Sequence, residues 1–265
     1  MSAPPAPASD LRRAQWRGTL ALAGRETRRV LIVWTQTILP PVLNAFLFLL
    51  VFGGALGGRI RQIEGLPYLT FILPGLVVMT VANQSFGNNA TSIFQAKREG
   101  YIEDILTSPL RPWQLAAGYL SGGLLRATVT AGIVVLVGSA FAGGVVNPPL
   151  ALLALTLTGL VFASLGIVAG IWAETFDQFS LVANLIIAPL ALVGGVFYAV
   201  GNLPQPWATL TRLDPIYYLV DAARAGFTGF HESSVAASLM VATAVAAGLF
   251  ALAVMLLSRG WRLKP

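Results

Sequence analysis

Two lysines, one histidine and no cysteine occur among the 265 residues, so the covalent and metal chemistry open to this chain is narrow. A phosphate-cradling G-x-x-x-x-G-K-[ST] loop needs a lysine followed by a hydroxyl residue. Lys97 is followed by Arg98 and Lys264 by Pro265, so neither belongs to such a loop. His231 stands alone in a connecting segment, which argues against a metal-hydrolase cluster. Without cysteine there is no thiolate nucleophile, disulfide or sulfur-ligated metal, and no G-x-S-x-G elbow is present. The carboxylates are Asp10, Glu26, Glu64, Glu99, Glu103, Asp104, Glu174, Asp177, Asp214, Asp221 and Glu232. All fall in connecting segments or beside apolar runs, so the deep ionisable groups that mark proton or sodium coupling are not visible. Neither enzyme activity nor a cofactor bound by this chain is expected.

The elements that must position any site are membrane helices. Hydrophobic residues make up 56% and charged residues 11%, with a mean hydropathy of +0.74. A soluble domain carries about 25% charged residues because it faces water all round. Backbone in hydrocarbon must satisfy its own hydrogen bonds, and long unbroken apolar runs select helices over barrel strands. Six spans are expected, at roughly 30–56, 68–87, 115–141, 150–172, 181–200 and 234–257. Pro40-Pro41 should kink the first. Residues 1–10, rich in Pro and Ala, read as a disordered tail. Residues 11–29, with six arginines, read as an amphipathic helix on the membrane surface. Residues 259–265 form a basic tail, and the transmembrane domain is 30–258.

Lysine and arginine counts orient the chain. With both ends on one side, that side holds Arg12, Arg13, Arg17, Arg25, Arg28, Arg29, Lys97, Arg98, Arg111, Arg259, Arg262 and Lys264. The other side holds only Arg59, Arg61, Arg212 and Arg224. Both termini and the loop 97–113 are therefore expected in the cytoplasm. The basic residues follow topology, so the pI near 10.2 is not taken as a sign of nucleic-acid binding. Arg126 is the one charge inside an expected span; it either snorkels to the cytoplasmic interface or lines a polar cavity.

Two segments are the candidates for function. In KREGYIEDILTSPLRPW, helical periodicity puts Tyr101, Ile102, Ile105 and Leu106 on one side and Glu99, Glu103 and Thr107 on the other. Ser108-Pro109 ends the helix. Such a helix is either a docking element for another protein or a cap on the bundle. On the outer side, Asp214-Pro215 has the residues of a helix start, followed by the aromatic pair Tyr217 and Tyr218. An outer gate and an aromatic interface belt both fit. Small residues four apart, Gly53/Gly57, Gly118/Gly122 and Gly166/Gly170, permit close helix packing or dimer contacts. The amides Asn44, Asn83, Gln84 and Asn184 either bridge helices or line a path.

The segment from Lys97 to Trp113 resembles the cytoplasmic coupling helix and following turn of type-2 ABC exporter permeases, the bacterial ABC-2 family of drug, lipo-oligosaccharide and polysaccharide export permeases. The run from Gly194 to Gly229, GGVFYAVGNLPQPWATLTRLDPIYYLVDAARAGFTG, is similar to that family's fifth span and outer re-entrant region, including an L-[ND]-P pattern at Leu213-Asp214-Pro215. The resemblance covers roughly residues 20–258. It implies an all-α polytopic fold of six transmembrane helices, with an N-terminal interface helix, a coupling helix at 97–109 and short outer re-entrant helices within 201–232. It implies that Glu99, Gly100, Tyr101, Ile102, Glu103, Leu106, Ser108 and Pro109 dock a nucleotide-binding ATPase, present in two copies and using ATP and Mg. Asp214, Pro215, Tyr217 and Tyr218 would belong to the outer gate region. A homodimer, or a heterodimer with a second permease, would lie in a bacterial inner membrane among lipids and export an amphiphilic, lipid-linked or glycan substrate. The alternatives are an ion-coupled secondary transporter and a membrane scaffold that transports nothing.

Overall fold

The computed structural model describes residues 8–32, 34–51 and 62–263. Residues 1–7 of the tail expected at 1–10, the pair Gly53/Gly57, Arg59, Arg61 and Lys264 lie outside these residues, while residues 8–10 of that tail are helical. α1 (Ala8–Ile32) and α2 (Trp34–Leu50) open the chain. Val30, expected to begin the first span, belongs instead to α1, where it is buried. α2 carries Pro40 and Pro41 inside its 17 residues. A two-residue antiparallel ladder, Gln62–Ile63 with Leu66–Pro67, turns at Glu64 and Gly65. It lies between the first two expected spans, 30–56 and 68–87.

Five helical segments among the described residues are long and apolar enough to cross a bilayer. They are α3 (Tyr68–Arg98), α5 (Pro112–Ala142), α6 (Pro148–Trp172), the continuous Phe176–Val193 segment and α11 (Val235–Arg259). With this predominantly helical content the chain is a multi-pass helical membrane protein. α3 runs on from the expected end near residue 87 to Arg98, because the polar stretch there finds partners inside the bundle. Asn88 Nδ2 donates to Asn89 Oδ1 at 3.1 Å and Asn89 Nδ2 to the Ala163 carbonyl at 3.1 Å. The segment Phe176–Val193 consists of α7 (Phe176–Leu181), a π-helical stretch (Val182–Ile187) and α8 (Ala188–Val193). It stops before Gly194, short of the expected end near residue 200.

The two described small-residue pairs, Gly118/Gly122 and Gly166/Gly170, serve packing within the chain. A Cβ on Gly166 would lie 2.5 Å from the Phe86 carbonyl oxygen, and one on Gly170 2.8 Å from that of Ala90, so α6 presses directly on the α3 backbone. Gly118 and Gly122 of α5 receive Leu22 and Glu26 of α1. That contact holds α1 against the bundle by a buried face of Thr19, Leu22, Glu26 and Val30, at helical spacing. Arg12, Arg13, Arg17 and Arg28 are exposed.

At one end of the bundle, a buried cluster joins Leu22, Ile93, Ile102, Tyr119, Ile171, Leu257 and Leu263. The two ends of the described chain and the loop after α3 therefore share that end. Three carbonyls at the C-terminus of α6 receive cations there: Lys97 Nζ donates to Ile171 O at 2.7 Å and Ala173 O at 2.8 Å, and Arg262 Nη1 to Trp172 O at 3.0 Å. A helix C-terminus favours positive charge for this reason. At the other end lie the ladder, α9 (Trp207–Leu213) and α10 (Pro215–Thr228).

Candidate functional site

The loop after α3 is built by one backbone reversal. Glu99 N–H still donates to Gln95 O at 2.9 Å, but Gly100 takes φ +80°, a conformation glycine adopts without steric strain. This breaks the helix expected at 97–109 and leaves a six-residue helix, α4 (Ile102–Thr107). Ser108 then adopts extended backbone, φ −61° and ψ 152°, as a residue before proline must. Its hydroxyl donates to Ile105 O at 2.5 Å, closing the last turn.

Burial divides this segment into two sides. Ile102 is 3% exposed and enters the cluster of α1, α3, α5, α6 and α11, with Tyr101, Ile105 and Leu106 packed beside it. Glu99, Gly100, Glu103, Asp104, Thr107 and Pro109 are exposed, and Ser108 is half-buried. The Arg25 guanidinium lies over the Tyr101 ring, 5.0 Å from its centroid, so α1 clamps the segment from below. Burial raises the Tyr101 phenol above its ordinary pKa. Leu110 fills the space over Gly18, and Trp113 meets Trp16 edge to face at 6.1 Å. The result is an acidic, solvent-facing step rigidly attached to five helices. Lys97 stands apart from it, committed to the end of α6.

Sequence reasoning missed the polar anchor beneath this step. Glu26 was placed in a flank, yet it is fully buried. Its carboxylate accepts from Arg25 Nη2 at 2.9 Å and Ser92 Oγ at 2.8 Å, and lies 3.1 Å from Arg29 Nη2. Arg29 also donates to the Asn88 carbonyl and side chain at 2.9 and 3.1 Å. The legible signal was one carboxylate three residues before an arginine, within a segment otherwise basic.

At the opposite end, Asp214 caps α10, its Oδ1 accepting from Ile216 N at 2.8 Å, with Pro215 in the first turn. Burial pushes the Asp214 carboxyl up to about 6, against the pull of the Ile216 N–H. Tyr217 is buried and Tyr218 half-buried; their rings meet edge to face at 5.0 Å, and the Tyr218 hydroxyl donates to Arg212 O at 3.0 Å. α10 packs into the bundle instead of lying on its surface. Eleven of its fourteen residues are buried among α3, α6 and α11.

A buried ionic knot holds α10 there. Arg224 donates through Nη2 to Gly195 O at 2.6 Å and through Nε to Phe71 O at 3.4 Å, and sits 3.9 Å from the centroid of the Phe71 ring. Asp221 accepts from the Glu232 and Ser233 backbone N–H groups and from Ser238 Oγ, at 2.7, 3.2 and 2.9 Å. Glu232 in turn accepts from Val200 N and Gly201 N at 3.0 and 2.8 Å. In the sequence Asp221 and Arg224 both fall in the outer region 201–232, Arg224 as one of its outer-side charges; their spacing of three on one helix is the available clue. The structure thus places the two candidate groups at opposite ends of α3, which spans about 46 Å at 1.5 Å per residue.

A family model described as ABC-2 type transporter matches residues 17–228. The inner membrane transport permease YadH of Escherichia coli (strain K12) is 35% identical over 218 residues, covering 82% of this chain and 85% of that permease. Nodulation protein J of Rhizobium meliloti (strain 1021) is 25% identical over 203 residues, 74% of this chain and 78% of that protein. Nodulation protein J of Rhizobium leguminosarum bv. trifolii is 27% identical over 204 residues, with the same coverage.

Proposed function

The chain belongs to the ABC-2 type transporter family, and from that premise we propose that it is the permease subunit of an ATP-driven exporter for an amphiphilic, lipid-linked or glycan substrate. The observation that carries this reading is the α4 step: an apolar side welded into five helices and a free acidic side carrying Glu99, Glu103 and Asp104. A cap that served only to close the bundle would not need two carboxylates on a solvent-facing helix, Glu103 and Asp104, and a third, Glu99, just before it. Residues 97–109 are assigned to docking a separate ATPase, which binds ATP and Mg and performs the hydrolysis. α1 supports the docking surface from below, and α2 is assigned as the first of six spans.

In this mechanism two ATPase subunits close on ATP and displace the α4 step of each of two permeases. Because Ile102 and Tyr101 are packed against α1, α3 and α5, the step moves with those helices. α3 carries the displacement to Phe71, whose carbonyl and ring hold Arg224 in the outer knot. ATP-bound and ATP-free motors must bind the two permease conformations with different affinity, since only differential binding shifts the equilibrium. The apolar faces left open on α2 and the Phe176–Val193 segment, including Leu43, Leu47, Leu185 and Leu192, are the surfaces available to a second permease. An inner-membrane location follows the name of the YadH relative.

Topology is the first test, and a chain without cysteine makes it clean. In intact cells, Glu103→Cys and Arg17→Cys are expected to resist a membrane-impermeant maleimide, while Arg212→Cys is labelled. Labelling of position 103 together with position 212 would refute the assigned orientation.

A further inference from the structure

Arg126 lies 14 residues after Pro112 and 16 before Ala142, at the middle of α5. At 1.5 Å per residue it is about 21 and 24 Å from the two helix ends, well beyond the reach of one side chain. Its Nε donates to Gln84 Oε1 at 2.6 Å, which fixes the plane of the guanidinium. Among the described residues no carboxylate lies within 4.0 Å of it, and neither terminal nitrogen has a protein acceptor. The charge it feels nearby is that of Arg29, another cation, already engaged by Glu26 and Asn88. An arginine does not neutralise itself by losing its proton, so among the described residues the charge of this one is left unmatched.

The space beside it fits an anionic ligand. A cavity of about 330 Å³ between α2, α3 and α5 is lined by Arg126, by the amide residues Gln84, Asn83 and Asn44, and by the apolar Phe48, Leu76 and Met79. Asn44 and Phe48 are exposed, so the cavity opens sideways at the bundle surface rather than being sealed. The volume suits a headgroup and the first part of a chain. A guanidinium held by one edge presents its remaining nitrogens as a fork, the geometry that takes a phosphate or carboxylate in two parallel hydrogen bonds.

We propose that this cavity binds the anionic headgroup of an amphiphile at mid-depth of the bundle, with Arg126 as the counter-charge and the Phe48–Met79 wall along its chain. The proposal rests on the exporter reading and narrows its substrate class: an anion passing through hydrocarbon depth needs a fixed cation there, and a neutral cargo does not. A bare apolar chain would leave the amides of Asn44 and Asn83 in the lining without polar partners from the ligand. Gln84 has the further task of aiming the guanidinium.

The test uses the full chain in phosphatidylcholine vesicles containing spin-labelled phosphatidic acid or, separately, spin-labelled phosphatidylcholine. The readout is the motionally restricted fraction of label at equal lipid-to-protein ratio. Preference for phosphatidic acid is expected at about tenfold, the scale of a charge-assisted hydrogen bond. It should vanish in Arg126→Gln and persist in part in Arg126→Lys, while Arg212→Gln leaves it unchanged. Equal restriction of the two labels in the unaltered chain, or a preference that survives Arg126→Gln, overturns the proposal. Loss of the preference on adding excess inorganic phosphate would show a site for a free anion and overturn the amphiphile assignment. No ATPase is present, so a negative result bears on the cavity alone, and failure of motor docking would leave this measurement untouched.

Discussion

Arg224→Leu is expected to destabilise the folded chain by about 3–5 kcal/mol, the range for removing one partner from a buried ionic network. The side chain is 1% exposed, and leucine would leave Gly195 O without its 2.6 Å donor and remove the cation from the Phe71 ring. Glu232 would remain in place, with its backbone donors intact but its counter-charge gone. Thermal unfolding of the detergent-purified variant measures the loss. Since the knot also fixes the connection between the Phe176–Val193 segment and α10, transport should fall more steeply than stability at temperatures where the variant is still folded. A variant as stable as the parent would show that the outer knot contributes nothing to the fold.

Glu103→Arg is expected to weaken ATPase docking by about ten- to a hundredfold and to leave the membrane fold unchanged. Glu103 is exposed, and its side chain makes no hydrogen bond among the described residues, so the substitution disturbs no internal contact. At the proposed interface it replaces attraction with repulsion, and like charges placed together cost several kcal/mol. Affinity of the purified permease for its ATPase, with unfolding temperature as the control, separates the two effects. Equal affinity together with an undiminished transport-linked hydrolysis rate would remove Glu103 from the docking surface.

Hydropathy made most of the architecture legible, because spanning helices must be continuous and apolar. The boundaries shifted where polar residues found partners that one sequence does not display. α3 extends through Asn88 and Asn89 since α1 and α6 supply their hydrogen bonds, and Val30 joins α1 because Glu26 and Arg29 hold that helix against α3. The split of α4 into a buried Ile102 and an exposed Glu103 followed directly from a 3.6-residue period. Its shortening did not, since it depends on the positive φ of Gly100. The burial of Asp221, Arg224 and Glu26 was hidden for a common reason. Each is charged, each lies outside the expected spans, and only the folded arrangement supplies the partners that make burial tolerable. Arg126 was legible as an anomaly, and its depth and its unmatched charge needed the structure.

Docking through the α4 step is the claim on which the exporter mechanism turns. A photoreactive side chain at position 103, in a complex of this permease with its ATP-binding partner, addresses it directly. The account predicts a crosslink from position 103 to the ATPase and none from position 212. Crosslinks from position 103 confined to lipid or to the permease itself would contradict it.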